Sequence, residues 1–127
     1  MSAPRRRILI IDDHAPFRSA ARELLEHRGF EVVAEADRAT SGLQVAERVA
    51  PDAVVLDVRL PDGNGFDVCR ALKAANPDLA VLIVSTDEHH ARHASDCGAV
   101  AFLPKTRLSS ADLASLLRGA HEDRTAA

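Results

Sequence analysis

Five short apolar runs recur along the chain, and segments of ten to fifteen residues with helical periodicity separate them. Hydrophobicity within each run is continuous rather than alternating, which indicates strands covered on both faces, as in a parallel sheet flanked by helices. The pattern therefore predicts a (βα)5 domain, a doubly wound α/β fold. The runs are Ile8 to Ile11, Val32 to Ala36, Ala53 to Leu56, Leu79 to Val84, and Val100 to Leu103.

The helical segments differ in how much apolar surface they offer to the sheet. The first presents Phe17, Ala20, Leu24 and Leu25, the second Leu43, Ala46, Val49 and Ala50, and the last Leu108, Leu113, Leu116, Leu117 and Ala120. The fourth, over residues 87 to 97, presents only Ala91, Ala94 and Cys97. Because so little apolar area can be buried there, we expect the fourth helix to dock weakly.

Length and charge limit the function classes. The 127 residues suit one domain, with a core over residues 6 to 120 and a frayed tail over 121 to 127. A net charge of -3 lacks the basic footprint of a nucleic-acid binder. The arginines at 5 to 7 are expected to form a solvated strand entry, because the apolar run that follows is too short for a signal peptide. No segment approaches a membrane span, so we expect a soluble cytoplasmic protein.

Polar residues with complementary chemistry stand where the apolar runs stop. They are Asp12 and Asp13, Asp57, Ser85 and Lys105. Since the carboxyl ends of parallel strands share one edge of the sheet, these side chains are expected to converge. Crowded carboxylates call for a cation, and an all-oxygen set suits Mg²⁺. The lysine ammonium and the serine hydroxyl could then bind phosphate oxygens, which points to phosphoryl transfer with a carboxylate nucleophile.

Four stretches of sequence carry a resemblance to a known family. They read Ile10-Ile11-Asp12-Asp13-His14, then residues 54 to 65 as VVLDVRLPDGNG, then Leu82-Ile83-Val84-Ser85-Thr86, and finally residues 98 to 105 as GAVAFLPK. In this text and spacing, which spans nearly the whole chain, the protein resembles the receiver domain of two-component response regulators. The resemblance implies a flavodoxin-like sheet with strand order 2-1-3-4-5.

The resemblance also implies a role for each site residue. Asp57 would accept a phosphoryl group, with Ser85 and Lys105 holding its oxygens. Asp13, Asp57 and the backbone carbonyl of Arg59 would ligate Mg²⁺, with Asp12 acting directly or through water. Phe102 occupies the position of the family's rotameric aromatic switch, which is expected to move together with Ser85 on phosphorylation.

The implied partners are a sensor histidine kinase or a histidine phosphotransfer protein, and a downstream protein that contacts the fourth helix, fifth strand and fifth helix. Because the (βα)5 unit accounts for residues 6 to 120, we expect a stand-alone response regulator without direct nucleic-acid contact or membrane insertion. The receiver of a longer helix-turn-helix DNA-binding regulator, a phosphorylation-dependent homodimer and a partner-binding pseudo-receiver are the alternatives.

Two residues beside the site depart from the common family pattern. Thr86 stands where many receivers carry Ala or Gly, and Arg59 places a long cationic side chain near the pocket mouth. Both are expected to modulate the access of donors and water, and the bulk of Thr86 predicts slow hydrolysis of the acyl phosphate.

Rival interpretations attach to four features. A haloacid-dehalogenase-like phosphatase also uses an Asp at the end of a strand as its nucleophile, within an Asp-x-Asp motif. Here Arg59 stands in the position of the second Asp, so we do not expect an enzyme that turns over a substrate. The glycines at 63 and 65 predict a tight turn rather than a dinucleotide cradle. His89, His90 and His93 are expected to face solvent rather than bind a metal, since no third ligand has suitable spacing. Cys69 and Cys97 are expected to be small buried hydrophobes.

Overall fold

A five-stranded parallel sheet forms the centre of the structure, a computed structural model that describes residues 5 to 87 and 95 to 118. Its strands are β1 (Arg7–Ile11), β2 (Glu31–Ala36), β3 (Ala53–Asp57), β6 (Ala80–Ser85) and β7 (Ala101–Pro104), and a small hairpin adds β4 (Arg59–Leu60) and β5 (Gly63–Asn64). The sheet order is β2-β1-β3-β6-β7, with every neighbouring pair parallel. The predicted α/β fold and its strand order 2-1-3-4-5 are confirmed.

Helices cover both faces of the sheet, as the continuous strand hydrophobicity requires. They are α1 (Ala15–His27), α2 (Ala39–Val49), α3 (Gly65–Ala75) and the short α4 (Leu113–Leu116), with 3-10 turns at Ser95–Cys97 and Lys105–Ser110. All five residues of β3 are buried, since this strand lies between β1 and β6. None of the helices in the described ranges is long and apolar enough to cross a membrane.

Two apolar clusters, one on each side of the sheet, form the core. Leu9, Ile11, Val54 and Leu56 point toward α2 and α3, where Phe66 and Leu72 pack against them. Their chain neighbours Ile8, Ile10, Ala53 and Val55 point the other way, toward Leu25, Leu108, Leu113 and Leu117. The alternation along each strand assigns successive side chains to opposite clusters. Cys69 and Cys97 are buried and form no disulfide, and burial raises the pKa of the Cys69 thiol to about 12.

The helical faces depart from the prediction at two alanines. Ala20 is exposed, and Ala21 is buried in its place, because Ala21 lies one turn before the buried Leu25. Ala50 is also exposed, since it forms the left-handed C-cap of α2 with φ 46° instead of continuing the helix. The predicted fourth helix falls mainly on residues 88 to 94, which lie outside the described residues, as does the predicted tail from 121 to 127.

The predicted fifth helix is split into a 3-10 segment and α4. The Asp112 side chain accepts a hydrogen bond from the Ser115 amide and starts a new helix there. Guanidinium groups from the body of the domain bind carbonyls at this break and at the end of α4. Arg28 donates to the carbonyls of Ser109 and Ala111, and Arg6 donates to that of Leu117. The arginine run at 5 to 7 is therefore more than the expected solvated strand entry.

A carboxylate from the hairpin loop caps the second helix across the fold. Arg38 stands at the N-cap of α2 but its side chain makes no capping bond. Asp62, between β4 and β5, accepts hydrogen bonds from the Ala39 amide at 2.6 Å, the Thr40 amide at 3.0 Å and the Thr40 hydroxyl at 2.6 Å. These bonds lower the pKa of Asp62 to about 2, chiefly through the Thr40 hydroxyl.

The Asp62 contact predicts a specific loss of stability in acid. The folded pKa of about 2 lies below 3.8, the ordinary pKa of an aspartate, so the ionised form stabilises the fold above pH 4 and this contribution is lost as the pH falls toward 2. Denaturant unfolding at pH 5 and at pH 2.5 should therefore show a larger drop for the wild type than for Asp62→Asn. Glu47→Gln, which removes a carboxylate from the exposed side of α2, should keep the wild-type drop; an equal drop in Asp62→Asn would refute the assignment.

Candidate functional site

The five predicted strand-end residues meet at the carboxyl edge of the sheet. Asp12 follows β1, Asp57 ends β3, Ser85 ends β6 and Lys105 follows β7, in line with the neighbouring positions of these strands. The carboxylates of Asp12, Asp13 and Asp57 each offer an oxygen within 4.8 Å of the others. The convergence expected from the sequence is therefore present.

Asp12 is the most completely buried of the three acids. Its Oδ1 accepts a hydrogen bond from the His14 amide at 2.8 Å, and its Oδ2 lies 2.7 Å from the ammonium nitrogen of Lys105. The Asp12 carbonyl accepts from Arg18, whose guanidinium also pairs with Glu35 on β2. These contacts fix the carboxylate at the floor of the site.

Asp57 lies beside the Asp12 carboxylate, and its pKa is raised. Burial is the largest cause, the negative charge of Asp12 adds to it, and the Lys105 ammonium at 3.7 Å opposes both. Together they raise the pKa of Asp57 from 3.8 to about 6. A carboxylate at that position is poorly neutralised by its own surroundings, and a cation or an electrophile would relieve it.

Lys105 stands between the two buried acids. Its ammonium also lies 4.5 Å above the centre of the Phe17 ring, close enough for a cation–π contact. The chain holds only two lysines among its 16 basic residues, and this compact ammonium reaches two carboxylates that a planar guanidinium could not serve in the same way.

The acidic set fits a hard divalent cation. Asp13 is exposed at the rim while the other two acids are buried, so the three oxygens face one another with one side open to solvent. Asp12 Oδ2 is buried and accepts no hydrogen bond of good geometry from the described residues. Its contact is the ion pair with Lys105. A ligand set of carboxylate oxygens with an open side matches Mg²⁺, which binds few protein ligands and keeps waters or phosphate oxygens.

The predicted switch residues lie on the neighbouring strands β6 and β7, on one side of β3. Ser85 is buried, and its Oγ accepts a hydrogen bond from the Asp87 amide at 3.0 Å. Thr86 beside it is exposed. Phe102 on β7 is partly buried and packs against the core cluster on the α3 side. In the β6–β7 pair Ser85 aligns with Pro104 and Phe102 aligns with Ile83, so the serine and the aromatic residue are two register positions apart.

Arg59 extends from β4 over the mouth of the site. Its guanidinium lies 3.7 Å from the carboxylate of Asp87, with the arginine side chain 78% exposed and that of Asp87 35% exposed. This ion pair spans the loop after β3 and the loop after β6. The sequence placed Arg59 at the mouth but did not identify Asp87 as its partner.

Gly65 is a site residue whose role the sequence did not show. Its amide donates to the Val58 carbonyl at 2.6 Å. A Cβ there would collide with the carbonyl oxygen of Asp57 and would lie 3.0 Å from Cα of Val58. Only glycine lets α3 start so close to the backbone of Asp57. The glycine-rich turn was the available signal, but turn chemistry alone does not indicate which backbone it approaches.

A family model for the response regulator receiver domain matches residues 8–118. A putative transcriptional regulator of Pseudomonas aeruginosa is 39% identical over 102 residues, which are 78% of this chain and 49% of the relative. The virulence factors putative positive transcription regulator BvgA of Bordetella pertussis is 38% identical over 101 residues, 78% of this chain and 48% of the relative. The chain spans about half the length of these curated relatives.

Solved structures agree with the family match over most of the chain. The response regulator receiver domain protein from Clostridium thermocellum superposes with a TM-score of 0.81 at 30% identity, covering 95% of this chain and 97% of that one. The signal receiver domain of the putative response regulator NarL from Mycobacterium tuberculosis gives a TM-score of 0.79 at 28% identity, covering 90% and 98%.

The raised pKa of Asp57 predicts that this carboxylate destabilises the metal-free fold. The folded pKa of about 6 exceeds 3.8, so the native state binds the proton more tightly and the wild type gains stability as the pH falls from 7 toward 4. In a chelator at pH 7.5, Asp57→Asn should unfold at higher denaturant, by about 1–2 kcal/mol after allowance for solvent screening.

That advantage should shrink between pH 7 and pH 4, and Asp37→Asn, an exposed acid after β2, should show no such pH-dependent gain. A variant that is equally or less stable than the wild type across this range would contradict the electrostatic assignment.

Proposed function

The chain belongs to the family of response-regulator receiver domains, and from that premise we propose that Asp57 accepts a phosphoryl group and thereby switches the domain between two conformational states. One observation supports this above the others: Asp57 is a buried, poorly neutralised carboxylate beside a lysine ammonium and two further acids. Such a group is a nucleophile in a setting that favours an incoming electrophile with a cation.

The proposed step transfers a phosphoryl group from a phosphohistidine of a sensor kinase or a histidine phosphotransfer protein. A carboxylate oxygen of Asp57 attacks phosphorus and the P–N bond breaks. The bonding electrons pass to the imidazole nitrogen, which takes up a proton from solvent. Lys105, now 3.7 Å from Asp57, pairs with a phosphoryl oxygen, and the Ser85 hydroxyl donates to another.

Mg²⁺ is the proposed cofactor, and Asp12, Asp13, Asp57 and the backbone carbonyl of Arg59 would hold it. When bound, it neutralises the charge that gathers on the phosphoryl oxygens. The protein's own contribution is to fix the acids, and the Asp12 contacts to His14 and Lys105 serve that purpose.

Phosphorylation favours the state in which Ser85 has moved toward the phosphoryl group and Phe102 has moved into the space that is vacated, a population shift. The output surface is the fourth helix, β7 and the segment after it. Of this surface, β7 and residues 105 to 118 belong to the described part of the chain. Its ligand is a downstream protein, and a homodimer formed on phosphorylation is the second candidate.

Two architectures are compatible with this switch: a stand-alone response regulator, and the receiver domain of a longer DNA-binding regulator. The curated relatives are about twice the length of this chain and carry names of transcriptional regulators, so the stand-alone prediction draws no support from them. They favour the longer regulator, in which this domain controls a DNA-binding module and does not itself contact DNA. In either architecture Asp57 is loaded and unloaded in the cytoplasm without catalytic turnover of a substrate, because Arg59 stands where an aspartyl phosphatase needs a second acid.

Incubation with acetyl phosphate and Mg²⁺ tests the proposal directly. Intact mass should rise by one phosphate, and a chelator should suppress the gain. Asp57→Asn should gain nothing, whereas Asp52→Asn, at the start of β3, should be loaded like the wild type. An unchanged wild-type mass, or a phosphate retained by Asp57→Asn, would overturn the proposal.

We expect the side chain of Thr86 to lengthen the lifetime of the acyl phosphate. Its exposed side chain follows the buried Ser85 and stands next to the path by which water reaches phosphorus. Thr86→Ala should shorten the half-life of the phosphorylated form by about threefold to tenfold, corresponding to about 1 kcal/mol in the barrier. The decay of the phosphorylated mass after donor removal measures this. Equal lifetimes in the wild type and in Thr86→Ala would show that Thr86 does not shield the site.

A further inference from the structure

The Arg59–Asp87 ion pair joins the two loops that flank the proposed phosphoacceptor. Arg59 stands two residues after Asp57, and Asp87 stands two residues after Ser85. Each partner is thus tied by a short stretch of chain to a residue that the proposed function assigns to the phosphoryl group. With Asp57 unmodified, the Arg59 guanidinium lies 3.7 Å from the Asp87 carboxylate.

This ion pair is weak enough to be exchanged. The arginine is 78% exposed and the guanidinium-to-carboxylate distance is longer than that of a charge-assisted hydrogen bond. A phosphoryl group on Asp57 would carry close to two negative charges and three acceptor oxygens, whereas the Asp87 carboxylate carries one charge. The planar guanidinium matches phosphate oxygens in pairs, so the newly formed group is the stronger competitor.

Release of Asp87 would also affect Ser85. The Asp87 amide donates to the Ser85 hydroxyl at 3.0 Å, so the residue that pairs with Arg59 also contacts the proposed switch serine. Removing the ion pair loosens one of the ties on the loop after β6 at the moment when Ser85 has to move.

We propose that Arg59 exchanges partners: it pairs with Asp87 while Asp57 is free and with the phosphoryl oxygens once Asp57 is loaded, which removes the contact that ties Asp87, two residues after Ser85, to the β3 side of the site. The inference rests on the proposed function and adds to it a residue that senses the phosphoryl group from the mouth of the site. Arg59 and Asp87 then set the balance between the two states, beside the inner contact made by Lys105.

Beryllofluoride with Mg²⁺ is a suitable probe, because on a carboxylate it reproduces the charge and shape of a phosphoryl group. Its affinity is measured by amide NMR for the full chain and for Arg59→Gln, Asp87→Asn and the double variant. Arg70→Gln is the matched control, since Arg70 lines the same groove as Arg59 but pairs with Asp67 on its own helix. Intact mass after acetyl phosphate treatment is recorded for each variant.

The exchange predicts a coupled pattern of affinities. Asp87→Asn should tighten binding about twofold to fivefold, Arg59→Gln should weaken it by a similar factor, and Arg70→Gln should leave it unchanged. In the Arg59→Gln background, Asp87→Asn should have less than half of its effect on log affinity. Direct repulsion of the anion by Asp87 acts in both backgrounds, so the difference between them measures the exchange. The Arg59 side-chain signal should also shift on binding.

Equal effects of Asp87→Asn in both backgrounds, or wild-type affinity in Arg59→Gln, would overturn the exchange while the phosphate gained on Asp57 left the proposed function intact. A wild-type chain that neither gains phosphate nor binds beryllofluoride would reject the proposed function and the exchange with it. The amide spectrum of each variant shows whether it is folded.

Discussion

The ammonium of Lys105 keeps together a site whose other charges repel one another. It lies 2.7 Å from Asp12 and 3.7 Å from Asp57, and it also rests on the face of Phe17 from α1. One positive charge cannot balance three carboxylates, so the site retains an excess of negative charge in the metal-free protein. Burial and this excess of negative charge together raise the pKa of Asp57, burial being the larger cause. The rest of the fold holds these groups in place against this repulsion.

The strand order supplies the necessary rigidity. β3 is buried along its whole length between β1 and β6, and Asp57 is its last residue. Asp12 follows the neighbouring strand and is fixed by the His14 amide, so its separation from Asp57 is set by two adjacent strands rather than by loops. The apolar clusters on both faces of the sheet stabilise the fold and offset the electrostatic repulsion among the acids at its edge. A functional site with unfavourable electrostatics is tolerated because the sheet beneath it is well packed.

The sequence predicts the sheet and the convergence of the site because both follow from local patterns. Strand hydrophobicity and the residues at strand ends depend on a few neighbouring positions, and parallel topology does the rest. The missed features are contacts between distant segments. Asp62 caps α2 across the fold, Arg28 binds carbonyls of the segment after β7, and Gly65 meets the backbone of Asp57. The split of the last predicted helix belongs to the same class, since its apolar spacing is helical while the carbonyls bound by Arg28 and Arg6 stabilise a break. No periodicity records such contacts.

The loop after β3 is anchored at several points: Gly65 donates to Val58, Asp62 binds the start of α2, and Arg59 pairs with Asn64 in the β4–β5 hairpin. The described contacts of the loop after β6 include the Asp87 amide to Ser85 and the ion pair with Arg59. If Arg59 changes partner, its backbone is kept in place by the hairpin and only its side chain swings. The contact that changes on the β6 side is then that of Asp87, whose amide also donates to Ser85, so charge arriving on Asp57 affects the switch serine through this ion pair.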